Sequence, residues 1–140
     1  MTPDTSIGIR LIIGKLLGFS IGIAVIVGLL LYDVELKKTV ILGILLWHML
    51  MGSIIGLLGV YSEHPLLRLP FSWWVRSLGI GAYFNLCVTL IFFEAIQQYF
   101  IGASVLTENA ISPFSLVLVG AVSGLISGFL STKIVRKFLP

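Results

Sequence analysis

The chain has 140 residues, of which 58% are hydrophobic and 11% charged, with a formal net charge of +3. A water-exposed globular domain carries about 25% charged residues, so this composition excludes a surface that is polar all round. The basic residues stand at segment ends rather than in a patch interleaved with aromatics, which argues for a lipid bilayer as partner and against nucleic acid.

Four apolar stretches, 16–32, 39–61, 77–98 and 111–132, fill most of the sequence. Each approaches the roughly 20 apolar residues that carry a helix across a hydrocarbon core about 30 Å thick. In lipid each backbone amide must pair within its own segment, so the predicted class is all-α integral membrane. The expected architecture is a four-transmembrane-helix bundle, a single domain over 1–140, with helices at about 10–32, 39–61, 74–98 and 111–135. A short interfacial Pro/Trp segment should separate the second helix from the third.

The first stretch exceeds the apolar core of a secretory signal, and no small-x-small site precedes Asp33, so it is expected to stay as a helix. It carries Gly14, Gly18 and Gly22 at intervals of four, and Ser20, Ala24 and Gly28 on nearly the opposite face. Residues four apart share a helix face, so each set forms a smooth groove for close backbone approach. Lys15 is the awkward charge. From a start near Ile7 it lies about 12 Å into the helix, where it snorkels to headgroups unless 7–15 is itself interfacial.

The second stretch places His48 near its middle, on one face with Gly52, Gly56 and Gly59. Polar side chains at membrane depth are costly, so His48 is expected to point inward. It is there either a neutral imidazole bonded to a neighbouring helix or a group that titrates near neutral pH. Met49, Met51 and Cys87 add soft donors of the kind that suit Cu(I). Met49 is turned away from His48 and there is no second imidazole beside it, so neither metal nor other cofactor is expected. The single cysteine forms no disulfide within the chain.

In the connection that follows, Pro65 and Pro70 prevent a continuous helix. Trp73, Trp74 and Arg76 read as an interfacial anchor for the third crossing. His64, Arg68 and Arg76 also suit an anionic headgroup or a phosphate-bearing substrate. The third stretch presents Ser77, Gly81, Asn85 and Thr89 at intervals of four, with Asn85 placed to bond His48 or a solute. Glu94 falls near the far end beside Gln97 and Gln98, as a solvated carboxylate or the mouth of a polar route. The fourth stretch repeats Gly120, Gly124 and Gly128, with Ser123, Ser127 and Ser131 on the adjacent stripe. That face suits tight packing or the lining of a conduit.

Four crossings put both termini and the central loop on one side. That side collects Arg10, Lys15, Arg68, Arg76, Lys133, Arg136 and Lys137, against Lys37 and Lys38 opposite, so both termini are expected to be cytoplasmic. Two small faces on the first helix exceed what four helices can use internally. A homo-oligomer, most simply a two-fold dimer, or a protein partner in the membrane is therefore expected. No paired carboxylates, metal motif, phosphate loop or Ser-His-acid set occurs, so an enzyme is not expected. Two functional classes remain: movement of a small solute or lipid component along His48, Asn85, Thr89 and Glu94, or a scaffold that holds a larger complex.

Overall fold

The computed structural model describes residues 3–31, 35–58, 72–104 and 112–138, with side chains placed for 7–31, 35–58, 72–98 and 112–135. Gly59, His64, Pro65, Arg68, Pro70 and the 105–109 connection lie outside the described residues, as do the side chains of Arg136 and Lys137.

The described chain is helical: α1 (Pro3–Leu31), α2 (Lys38–Leu58), α3 (Trp73–Ile91), α4 (Phe93–Ser104) and α5 (Ser115–Phe138). Pro3 opens α1, where its missing N–H is no loss because the first amides of a helix have no partner inside it. The Lys37 carbonyl accepts from the N–H groups of Val40 at 2.9 Å and Ile41 at 3.1 Å, which starts α2.

The third apolar stretch behaves differently from the expected single helix over 74–98. It divides at Phe92, which sits at φ −112° and ψ 26°. The ladder nearly survives, since Phe92 N–H still donates to Val88 and Ile96 N–H donates to the Phe92 carbonyl. The last helix begins at Ser115, because Ser112, Pro113 and Phe114 form a tight turn whose carbonyls accept from residues 115–117.

Four helices are long and apolar enough to cross a membrane: Ile7–Leu31, Lys38–Leu58, Trp73–Ile91 and Ser115–Val135. A chain with four such helices reads as a multi-pass membrane protein. Its burial pattern is inverted relative to a soluble domain. Leu31, Ile91 and Leu118 stand exposed with most of the other large apolar side chains, as a lipid-facing surface requires. Among the described residues the buried apolar set is Ile26, Met51, Ile55 and Val135, outnumbered by buried His48, Ser77, Asn85, Thr89, Ser123, Ser127 and Ser131.

The helices pack chiefly as two antiparallel pairs, α1 with α2 and α3 with α5, and α5 also touches α1 and α2. Glycine is what lets each pair close. A Cβ at Gly14 would strike the Gly52 carbonyl and lie 3.2 Å from the Gly56 Cα, while one at Gly18 would strike the His48 carbonyl. In the second pair a Cβ at Gly81 would strike the Gly120 carbonyl, and one at Gly124 would strike the carbonyl of Ser77. In lipid this close approach supplies the van der Waals contact that holds helices together.

Candidate functional site

His48 is the middle residue of α2 and is 5% exposed. It sits one turn from Met51 and Gly52, and its Cβ lies 3.4 Å from where a Cβ on Gly22 would be. Its Nδ1 is 2.8 Å from the Ile44 carbonyl, an oxygen that can only accept. Nδ1 therefore carries a proton, and in the neutral form of the ring Nε2 is a bare lone pair. That nitrogen is buried without a hydrogen-bond partner.

Two hydroxyls share this condition. Serine and threonine in an apolar helix ordinarily return their proton to the carbonyl four residues back. Ser53, Ser77, Ser123 and Thr132 all do so, at 2.7–2.8 Å. Thr89, fully buried, and Ser127, 1% exposed, do not, and their oxygens have no partner. Among the described residues the interior thus holds three unpaired polar side-chain atoms, on α2, α3 and α5.

Asn85 is used in a different way. Its Nδ2 donates to the Leu116 carbonyl at 2.8 Å, and its Oδ1 accepts from Trp47 Nε1 at 3.1 Å. One amide therefore ties α3 to α5 and to α2. The Trp47 ring also packs on Phe84 at 5.2 Å between centroids. The bond expected between Asn85 and His48 is absent: the Asn85 acceptor is taken by Trp47, one residue earlier. Asn85→Leu should remove both bonds and leave the Trp47 N–H and Leu116 carbonyl unanswered. The expected loss is about 1–2 kcal/mol in a detergent-titration unfolding measurement.

The remaining expected site residues are spread apart. Glu94 is exposed in the first turn of α4, with exposed Gln97 and Gln98 one turn on, beyond the break at Phe92. The anchor trio divides: Trp74 is half exposed, whereas Trp73 turns toward α5 and packs on Phe129 at 5.8 Å. Arg76 is half-buried, and the nearby positive charge of Arg10 acts on it. Lys15 is exposed on α1. Among the described residues no three His, Cys, Asp or Glu side chains gather to hold a metal ion.

Two contributors escape a reading of the sequence. Trp47 sits in an unbroken apolar run, though a tryptophan at mid-span needs an acceptor for its N–H. Ser127 looks like one of three equivalent stripe serines, and only the structure separates it from back-bonded Ser123. No family model, curated protein or solved structure matches the chain.

Proposed function

We propose that this chain is a small integral membrane protein that admits a small solute or lipid component through a polar interior centred on His48. Both termini lie in the cytoplasm, and the chain works as a homo-oligomer. The observation that supports movement of a solute is the unpartnered Nε2 at the middle of a membrane-length helix. A polar atom left unpaired in an apolar surrounding costs on the order of 1–3 kcal/mol. A purely structural bundle gains nothing from that cost, whereas a passing solute answers it.

A second reading, an accessory subunit, rests on α1. The glycine stripes are taken up within the chain, so they offer nothing to another protein. Ser20 and Ala24 are exposed, and nothing lies within 4 Å of a Cβ placed on Gly28. This uncovered small face is where a second copy or another membrane helix would fit closely. Gly124, by contrast, lies against Ser77 and Gly81, so a bulky residue there damages the chain's own fold.

The test pairs two variants in lipid vesicles. Under solute movement, His48→Ala loses flux of small solutes while native mass spectrometry shows an unchanged assembly. Under the accessory reading, Ala24→Leu strips the partner or second copy and His48→Ala is silent. A C-terminal reporter should read as cytoplasmic; an external signal would overturn the orientation.

A further inference from the structure

The two helix pairs follow one plan. Among the described residues, the buried positions of α1 are Gly14, Gly18, Gly22 and Ile26, and those of α3 are Ser77, Gly81, Asn85 and Thr89. One constant shift in residue number carries the first set onto the second. Another carries the buried His48, Met51, Gly52, Ile55 and Gly56 of α2 onto Gly120, Ser123, Gly124, Ser127 and Gly128 of α5. Ser131 and Val135, also buried in α5, have their counterparts at 59 and 63, outside the described residues.

The contacts obey the same shifts. A Cβ on Gly52 would strike the Gly14 carbonyl and lie 3.0 Å from the Gly18 Cα. One on Gly124 would strike the Ser77 carbonyl and lie 3.1 Å from the Gly81 Cα. A Cβ on Gly18 would strike the carbonyl of His48, and one on Gly81 that of Gly120. Trp47 and Leu116 both reach Asn85, so the two hairpins stand at one depth. α2 touches α5, whereas α1 and α3 do not touch among the described residues. Like hairpins placed this way are related by a turn about the membrane normal, as in membrane proteins built from parallel repeats, with α2 and α5 beside the axis.

The likeness fails at mid-depth, and there the difference is chemical. His48 lies beside Gly22, its Cβ 3.4 Å from where a Cβ on that glycine would be. In the other hairpin the roles are exchanged. Asn85, counterpart of Gly22, lies over Gly120, counterpart of His48, with its Cβ and Cγ 2.6 Å from a Cβ placed there. The two side chains donate to equivalent carbonyls, His48 Nδ1 to Ile44 and Asn85 Nδ2 to Leu116, both at 2.8 Å. Each also presents an acceptor. Asn85 Oδ1 takes the Trp47 N–H from the neighbouring hairpin. His48 Nε2 takes nothing, and the counterpart of Trp47 is Val119, which has no proton to give.

His48 stands on α2 between Gly52, set against α1, and buried Met51, so it faces the junction where α1, α2 and α5 all touch. Resting on the solute-movement reading, we propose that this junction is a site for a small neutral molecule that donates a hydrogen bond to Nε2, in the place that Val119 leaves without a donor. Water, urea and short alcohols have that chemistry. Among the described residues no buried side chain carries a carboxylate, ammonium or guanidinium group, so nothing there offsets the desolvation of an ion.

In a His64→Gln background His48 is the one imidazole of the chain, and solid-state NMR of that protein in lipid reads its Nε2. Nε2 should receive polarisation from the protons of water or of added urea. Val119→Trp should replace that transfer by one from the new indole N–H. Silence of Nε2 toward both water and urea, or an indole at 119 that does not reach it, would overturn the site. The first of these measurements needs no change at 119, so a misfolded variant does not shield the proposal.

Oxidative cross-linking checks the arrangement on which the site rests. In a Cys87→Ser background, Met51→Cys with Ser123→Cys and Ile55→Cys with Ser127→Cys should close within one chain, because counterparts beside the axis share a depth. Met51→Cys with Ser127→Cys, a turn out of register, should close about tenfold more slowly or not at all. Equal rates, or matched pairs that stay open, would mean that the hairpins do not meet about that axis.

Stopped-flow permeation of urea separates the site from the reading beneath it. A fall of about tenfold in Val119→Trp supports both. Transfer to Nε2 with permeation unchanged in that variant keeps the site and defeats movement past it. Permeation that falls in His48→Leu, without any transfer to Nε2 in the parent chain, keeps the route and defeats the site.

Discussion

Gly81→Ala should unfold or separate the α3–α5 pair, while Gly79→Ala, two residues away on the same helix, should leave the protein essentially unchanged. Both substitutions add one methyl group to a helical glycine, so helix propensity cancels in the comparison. The surroundings differ. A Cβ at Gly81 would strike the Gly120 carbonyl oxygen and lie 2.9 Å from its carbon and 3.0 Å from the Gly124 Cα. These are backbone atoms and cannot rotate aside, so the helices must move apart. Nothing lies within 4 Å of a Cβ at Gly79.

Overpacking of a rigid site costs about 1–3 kcal/mol, and loss of neighbouring glycine contacts adds to it, so Gly81→Ala should lose about 3 kcal/mol or more. Gly79→Ala should stay within about 0.5 kcal/mol of wild type. Equal losses in a detergent-titration unfolding assay would mean that the close crossing is not what holds the pair. The first pair supplies an internal control. A Cβ at Gly22 meets side-chain atoms of Leu45 and His48 at 3.3–3.4 Å, so Gly22→Ala should fall between the two extremes.

This grading was only half legible in the sequence. Spacing by four identified Gly14, Gly18, Gly52, Gly56, Gly120 and Gly124 as close-approach positions, because a 3.6-residue turn puts them on one face. It did not show whether the face opposite was the same chain or another, since composition carries no information about partners. Membrane length and the all-helical class followed from hydropathy, which the bilayer makes unusually strict. The break at Phe92 was invisible: Leu90 to Phe93 is an unbroken apolar run, and neither Pro nor Gly marks the position.

The polar interior was legible by residue type but not by bonding. His48, Asn85 and Thr89 share the property of being polar at depth, and the sequence treats them alike. The structure gives them opposite conditions. Asn85 has its acceptor and a donor engaged, and Thr89 and the Nε2 of His48 have nothing. Whether a polar group pins a fold or serves a ligand depends on what lies across from it, which is a property of tertiary contact.

That difference makes His48→Leu the more informative companion to Asn85→Leu. Both replace a buried polar side chain by the same apolar one. Asn85→Leu breaks bonds to two other helices and should destabilise. His48→Leu removes only a bond to Ile44, within its own helix, and an atom without a protein partner. Replacing such a group by an apolar one is near neutral or favourable, so stability should hold or rise by up to about 1 kcal/mol. Flux should nevertheless fall by about tenfold or more, because a solute passing the middle of the bilayer loses a hydrogen bond worth on the order of 1.4 kcal/mol.

A variant that folds more firmly and transports less marks a group kept at a cost to stability for the sake of function. If His48→Leu destabilised as much as Asn85→Leu, the imidazole would be a structural bond, and the polar interior would lose its central member. If stability rose and flux were untouched, the route would not pass His48 at all. The accessory reading would then stand on the uncovered face of Ser20, Ala24 and Gly28.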